Sequence, residues 1–413
     1  MKEKTIIEVP TQAAMTCKSQ LDEVLRLGAQ QMLQQAIKNE VAEYLQAHTG
    51  ELDEHGRRWV VGNGRMPERS IMTPMGPLKL RRPRVEDRRP DQKFVSQLLP
   101  PYMRRTSSLD ALIPALYLRG ISSGDFSEAL AAILGPQAAG LSASNIVRLK
   151  ESWQAEYQQW QQRDLSNQHY VYWWADGIYF NVRLSEERPC VLVIMGALAD
   201  GTKELVAVAQ GQRESKLSWL EVMRDLKKRG LKAAPELAVG DGALGFWAAK
   251  EEEFPKTREQ RCWVHKSLNV LDKLPKSVQP MAKRQLHEMY LAPGRQKALE
   301  AYEQFLKDYS AKYPKACECL KKDKEVLFTF HEFPAQHWVH LRTTNPIEST
   351  FATVRHRTRQ TKGCGSAEAT LAMVFQLVRV AEKNWRRLKG SELLAQVIRG
   401  VKFADGELIT KAA

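Results

Sequence analysis

The chain has 413 residues, 43% of them hydrophobic and 27% charged, which is enough for two or three globular domains. Lysine and arginine outnumber aspartate and glutamate by 62 to 48, and the formal net charge of +14 points to a polyanionic partner, nucleic acid ahead of a membrane surface. The opening "MKEKTIIEVPTQ" has no apolar signal-peptide core, and the longest apolar run, Cys190 to Ala199, suits a buried strand but is too short to span a bilayer, so the expectation is a cytoplasmic protein without membrane contact.

Residues 19–47 carry Leu21, Val24, Leu25, Leu33, Ile37, Val41 and Leu45 at helical spacing, and His48-Thr49-Gly50 ends the run. Two short strands around Pro74-Met75-Gly76 predict a hairpin. From Arg57 to Arg89 ten basic residues face three acidic ones, a net of +7 that is half of the chain's excess. Charge concentrated in this way favours contact with a DNA backbone, through Arg81, Arg82 and Arg84 among others, over a solvated surface. Helices over Ser108–Leu118 and Asp125–Leu134, a turn at Gly120–Ser123 and a longer helix capped by Ser142 and running to Gln162 follow the grammar of a helix-turn-helix module.

The texture changes at His169. "HYVYWWADGIYFNVRL", "CVLVIMGALADG" and "ELVAVAQ" read as strands, with Asp200-Gly201 as the turn between the last two. "SKLSWLEVMRDLKKRG" is an amphipathic helix closed by Gly230, "ELAVGDGALGFWAAKEEEF" a strand, turn and helix, and "TREQRCWVHK" one more short strand. This order suits a mixed sheet covered by helices. A charged helical stretch to about Trp338 follows, then a helix from Pro346 and an apolar one over Ala367–Val380.

Two acids stand at strand ends, Asp176 after "YWWA" and Asp241 after "ELAVG". Each precedes a glycine, and Asp-Gly is ordinarily a turn dipeptide, as at Asp200-Gly201 and Asp405-Gly406. Carboxylates at the ends of central strands, however, point into the crevice where open α/β folds collect ligands. Glu348 opens a helix and has its own local explanation, with Asn345 as the cap, Pro346 at the first position and Glu348 reaching back in a capping box. That explanation leaves Arg355, Arg357 and Arg359 on the same helix unaccounted for. Three carboxylates in one cleft repel unless a cation lies between them, and their natural partners are Mg2+ or Mn2+. Two such ions activate a water or a 3′-hydroxyl and stabilise the leaving oxygen of a phosphodiester, and the arginines would hold its phosphates.

"GNGRMPERSIMTPMGPLKLRRPRV", "GISSGDFSEAL" with "LSASNIVRL", "WWADGIYFNVR", "VGDGALGFW", "RCWVHK" and "TTNPIESTFATVRHRTRQTKG", in this order, resemble the bacterial insertion-sequence transposases of the Mutator-like group over almost the whole chain. The resemblance implies an α/β, ribonuclease-H-like catalytic domain interrupted by an all-helical insertion and preceded by DNA-binding helical and helix-turn-helix regions. It implies a DDE triad of Asp176, Asp241 and Glu348 as catalytic and metal-binding residues, two Mg2+ (or Mn2+) ions, and Arg355 as the basic residue seven positions after the glutamate. Double-stranded DNA, as the element's terminal inverted repeats and as target, is the implied partner, with a homodimer or larger assembly on it and a nucleoid-associated location. The implied divisions are 1–100 for the first helix and basic hairpin, 101–165 for the helix-turn-helix region, 166–265 and 343–390 for the catalytic core, 266–342 for the insertion and 391–413 for a tail.

Cys262 and His265 match the family's Cys-x-x-His element. Spacing alone fits half of a zinc site with Cys317 and Cys319 as the rest, but Cys-x-Cys on a helix is a poor ligand pair, and a role supporting the active site is the favoured reading. With Cys17, Cys190 and Cys364 these are scattered thiols, not a disulfide framework. In "FTFHEFPAQHWVH" the reading is packing and DNA contact by Phe333 and Trp338, ahead of metal binding by His331, His337 and His340. Two rival functions stay open: a catalytically inactive DNA-binding repressor descended from a transposase, and a ribonuclease-H-like nuclease that cuts without joining. The intact acids speak against the first, and the long basic N-terminal region against the second.

Overall fold

The computed structural model describes residues 20–106, 108–109, 116, 118, 143–180, 190–360 and 366–409. The chain divides into two compact units, Met1–Ile146 and Val147–Ala413.

In the first unit, helix α1 (Gln20–Ala47) packs on strands β1 (Val60–Arg65), β2 (Arg69–Thr73), β3 (Gly76–Leu80) and β4 (Pro83–Asp87). β2 and β3 form the expected hairpin, with Thr73 opposite Gly76 across the turn. β1 and β4 add a second antiparallel ladder that flanks it in sequence. Period-two alternation turns Ile71, Leu78 and Leu80 inward onto Ile37 and Leu99, with Ala29 and Leu33 of the helix beside them. The helix does not bury its whole apolar stripe: Val24 and Leu25 are 65% and 51% exposed, because this core begins only at about Ala29. Gln34 fastens the helix to the β3–β4 link by a paired exchange, donating to the Arg81 carbonyl at 2.6 Å and accepting from the Arg81 amide at 2.9 Å. Most of the expected helix-turn-helix stretch lies outside the described residues, including the Gly120–Ser123 turn, the Asp125–Leu134 helix and the Ser142 cap; its last helix is α2 (Ala143–Gln161), most of which belongs to the second unit.

The second unit is mixed α/β. Strands β5 (Tyr170–Tyr179), β6 (Cys190–Leu198), β7 (Lys203–Gly211), β8 (Leu237–Gly240) and β9 (Arg258–Arg261) form one sheet in the order β7-β6-β5-β8-β9. The first three are an antiparallel meander; β8 pairs parallel with β5, and β9 parallel with β8. Asp200-Gly201 makes the expected turn, with Gly201 at φ +84°. Two helices, α3 (Lys216–Lys228) and α4 (Leu244–Glu253), supply the connections that parallel pairing requires. Their Trp219, Met223, Leu226, Phe246 and Ala249 close one core with Trp173 and Ala175 of β5 and Leu192 and Ile194 of β6. The other face carries Tyr172 and Trp174, whose hydroxyl and indole bond to His337 Nδ1 and the His340 carbonyl, each at 2.8 Å. With both faces covered, β5 and β6 read in sequence as near-continuous apolar runs.

Between the sheet's last strand and residue 341 the described elements are helices only: α5 (Trp263–Leu271), α6 (Gln279–Leu291), α7 (Arg295–Tyr309), α8 (Pro314–Lys321), α9 (Lys324–Leu327) and α10 (Trp338–Leu341), with short 3-10 turns among them. Buried polar side chains tie this stretch to β9. Gln260 is fully buried, donates to the carbonyls of Arg261 and Leu327 and accepts from the Phe330 amide; the Trp263 indole also donates to the Leu327 carbonyl. Helices α11 (Asn345–Gln360) and α12 (Ala367–Glu382) follow, the second capped by Ser366. Of the residues expected as a tail, 391–409 are folded: α13 (Leu394–Ile398) buries Leu394 and Val397, and a two-strand hairpin turns at Asp405-Gly406.

Replacing Gln260 by Ala leaves the buried Phe330 amide without its acceptor and takes one donor from the Leu327 carbonyl, which keeps the Trp263 indole, so it should destabilise this unit by about 1–3 kcal/mol, the usual scale for a buried polar group left unpaired. Thermal melting checks this, and an unchanged transition contradicts the anchoring role.

Candidate active site

The parallel pairing of β5 with β8 ends at Ala175 opposite Gly240, and the next residue on each chain segment is an aspartate. Asp176 does not end its strand, as the sequence suggests. It lies within β5, paired with Val193 of β6, and only the parallel ladder stops there. Asp241 does leave its strand, in a turn where its Oδ1 accepts from the Ala243 amide at 2.8 Å. Alternation along β5 puts Asp176 on the same face as Tyr172 and Trp174, away from α3 and α4.

Between the aspartates comes a residue that sequence reasoning missed. Glu214, in the link from β7 to α3, offers an oxygen within 4.8 Å of oxygens of both Asp176 and Asp241. Gly177 makes room for it: a Cβ there would lie 2.5 Å from the Glu214 Cδ. The Asp176-Gly177 pair is therefore not a turn but a carboxylate followed by a gap for another carboxylate. Nothing local marks Glu214, which stands 38 residues from Asp176 in an unremarkable polar linker.

Asp176 is only 5% exposed. Its Oδ1 accepts from the Gly177 amide at 2.9 Å, and among the described residues its Oδ2 has no hydrogen-bond partner. No lysine or arginine among the described residues pairs with Asp176, Glu214 or Asp241. Burial first, then the Asp241 carboxylate, pushes Asp176 up to about 7; burial, Asp241 and Asp176 do the same to Glu214, also to about 7. Crowded carboxylates, one of them buried and none paired with a lysine or arginine among the described residues, fit a hard divalent cation.

Glu348 lies in a neighbouring cluster, where its carboxylate, His265 and the Cys262 sulfur are within 4.8 Å of one another. The capping box expected for it is not formed. The carbonyl of Thr344, one residue earlier, accepts from the amides of Ile347 and Glu348, which makes Thr344 the cap, and the Asn345 amide turns to Thr343 Oγ1. The Glu348 carboxylate accepts from the Thr344 hydroxyl at 2.7 Å and lies 3.6 Å from His265 Nδ1. Burial works against a charged His265, but the Cys262 sulfur and the carboxylates of Asp176 and Glu348 outweigh it and lift the imidazole to about 9. His265 is thus the positive charge shared by the two clusters. Cys262, fully buried, accepts from the Thr344 amide at 3.3 Å and so fixes the start of the helix that carries Glu348. Cys317 and Cys319 join no metal-like cluster among the described residues; like Cys190 and Cys262 they are free thiols, and Cys17 and Cys364 lie outside the described residues.

Arg355 is exposed on α11, its guanidinium 5.9 Å from the Phe351 ring; the side chains of Arg357 and Arg359 lie outside the described residues. In the first unit Arg81 and Arg84 are exposed, while Arg82 lies 5.3 Å from the Phe94 ring. Their neighbour Arg89 is already bound to Asp87 and Glu51. The DNA contact expected of Phe333 and Trp338 does not hold, since they are 0% and 5% exposed; they are core, with His337 bonded to Tyr172 and to the Gly390 carbonyl.

The chain belongs to the Mutator family of transposases, which it matches over residues 1–388. It is 52% identical over 303 residues to the transposase of insertion sequence IS6120 from Mycolicibacterium smegmatis, covering 73% of this chain and 93% of that protein. It is 49% identical over 286 residues to the IST2 transposase of Acidithiobacillus ferrooxidans, covering 68% of this chain and 94% of the relative. The IS256 transposase of Tn4001 from Staphylococcus aureus is 29% identical over 328 residues, 78% of this chain and 81% of that protein. Membership places the chain among enzymes that cut DNA and transfer its strands, with DNA as partner. Among the described residues no helix is long and apolar enough to cross a membrane.

Because folding raises the Asp176 pKa, the stability tied to its proton is complete below the ordinary carboxylate range and is lost as pH rises through about 7. In a chelator, Asp176→Asn should therefore melt above the wild type by a margin that widens between about pH 5 and about pH 8, Glu214 titrating in the same direction. Thermal scans across this range check it, and a margin that does not vary with pH contradicts the assigned burial.

Proposed function

We propose that this chain is the transposase of an insertion sequence, with Asp176, Asp241 and Glu348 as a DDE triad. The observation that carries the reading is the pair of aspartates, each one residue past the last parallel bridge, with Glu348 at a helix start pinned beside them by Cys262 and Thr344. The sheet order β7-β6-β5-β8-β9, three antiparallel strands followed by two parallel ones, supports a ribonuclease-H-like core, and the all-helical stretch before α11 supports an insertion into it. The proposed action is to bind the element's terminal inverted repeats, cut at its 3′ ends and join these to target DNA in the cytoplasm, with at least two copies pairing the two ends.

Asp176, Asp241 and Glu348 would hold divalent Mg2+ or Mn2+, which supplies activation of a water or 3′-hydroxyl and neutralises the attacked phosphodiester. The chain's own part is positional. The sheet fixes the aspartates, and protonated His265 holds Glu348 in place from the side. Arg355, two turns along α11, contacts a backbone phosphate. In joining, the 3′ oxygen forms a bond to a target phosphorus while that phosphorus releases its own 3′ oxygen, so no covalent enzyme intermediate is needed.

Asp176→Asn and Asp241→Asn should each reduce Mg2+-dependent cleavage of an end-containing duplex to background while leaving end binding near wild type. Cleavage surviving in either removes that residue from the triad, and cleavage absent from the wild type favours the inactive repressor. Glu348→Gln keeps an oxygen for the Thr344 hydroxyl but loses the charge, and should abolish joining with little change in melting temperature.

We assign end binding to the first unit. Among the described residues Arg57, Arg58, Arg65, Arg81, Arg82 and Arg84 take part in no ion pair, as a phosphate-binding surface requires. Replacing Arg81, Arg82 and Arg84 together should flatten the slope of log affinity against log salt by about 0.9 for each phosphate that is no longer neutralised. An unchanged slope makes the hairpin a solvated surface.

A further inference from the structure

The DDE triad leaves one carboxylate of the cleft without a task. We infer that Glu214 is a further carboxylate ligand to the divalent cation at Asp176 and Asp241, an inference that rests on the metal-dependent reading above. Three independent observations carry it. The first is reach: one oxygen each from Asp176, Glu214 and Asp241 lies within 4.8 Å of the others, whereas the Glu348 carboxylate belongs to the Cys262–His265 cluster. The second is the space made for Glu214. A Cβ on Gly177 would come within 2.5 Å of its side chain, and a Cβ on Gly245 within 2.2 Å of its carbonyl oxygen. Two glycines on different elements, β5 and α4, thus admit the side chain and the backbone of the same residue. The third is the gap it faces. Asp176 is buried to nineteen parts in twenty, and among the described residues its Oδ2 has no hydrogen-bond partner.

A glutamate just ahead of a helix has an ordinary explanation, that its charge favours the helix N-terminus. That does not serve here. Ser215 caps α3, its hydroxyl accepting from the Ser218 amide, and the Glu214 carboxylate takes no hydrogen bond from the amides that open the helix. It is instead brought against two other acids, and only a cation in the cleft turns that repulsion into binding. Glu214 sits outside α11, so it holds the cation independently of Glu348. Glu214 joins the two aspartates from the β7–α3 link, while Glu348 reaches the site from the helix that also carries Arg355.

The test is a Mn2+ titration of the full-length protein, following the free-ion electron paramagnetic resonance signal, with Mn2+-induced thermal stabilisation as the second readout. Wild type should bind saturably and Asp176→Asn should not. Glu214→Gln should weaken binding about tenfold or more, the scale on which neighbours of a metal matter. It should also shrink the Mn2+-induced rise in melting temperature, yet melt no lower than wild type without metal. Glu214→Asp should recover part of the affinity, and Gly177→Ala, which displaces an intact Glu214, should lower it. If Glu214→Gln and Gly177→Ala bind Mn2+ as the wild type does while Asp176→Asn does not, Glu214 is no ligand and the triad stands. If Asp176→Asn titrates like the wild type, or the wild type binds nothing saturably, the metal reading fails and Glu214 falls with it.

Discussion

Repulsion between a buried carboxylate, Asp176, and two half-buried ones beside it is the constraint around which the second unit is arranged. Asp176 is held almost completely out of water beside Asp241 and Glu214, and no arginine or lysine among the described residues relieves it. An uncompensated buried charge is worth several kcal/mol against folding, so the surrounding structure must hold the acids where they would not go by themselves. The sheet does this for the aspartates. Asp176 is fixed by antiparallel pairing to β6 after the parallel ladder has ended, and Asp241 by a turn that closes on its own side chain. Among the described residues His265 is the positive group that both clusters share, and its elevated pKa is the counterpart of the raised values on Asp176 and Glu214.

The helices that follow β9 serve the same end. Gln260 binds them to the sheet's edge strand through buried hydrogen bonds, and Tyr172 and Trp174 receive the segment around His337 and His340 on the face that also carries Asp176. The chain then returns to the cleft at Thr344, where the Cys262 sulfur takes the backbone amide and sets the first turn of α11. The Cys-x-x-His element is in this light a fastening for Glu348. Cys262 places the helix and His265 faces the carboxylate.

Much of the second unit was legible because its strands are buried on both faces and so stand out as apolar runs, and because Asp200-Gly201 and Asp405-Gly406 are turns in fact as in pattern. The same dipeptide misleads at Asp176-Gly177, where glycine is needed for space and not for a turn, and only the three-dimensional approach of Glu214 tells the two uses apart. The helix at Glu348 was legible as a helix but not in its cap: Asn345 and Thr344 are both good caps, and the choice is made by Cys262, 82 residues away. Phe333 and Trp338 have the composition of a stacking surface, but the aromatic face of β5 buries the first, and Trp338 packs against Phe330 and His331. In α1 the apolar stripe promised more contact than the strands supply, since spacing shows which face is apolar and not how far its partner extends.

The central claim is that a divalent cation resides between the two aspartates, within reach of the DNA phosphate to be cut. Crystals of the protein with a short duplex bearing the element's end, grown with Mn2+, would give an anomalous difference map that locates the ion directly. The account predicts a peak bounded by the carboxylates of Asp176 and Asp241 beside a backbone phosphate. A peak found only at Cys262, His265 and Glu348, with the aspartates empty, would contradict it.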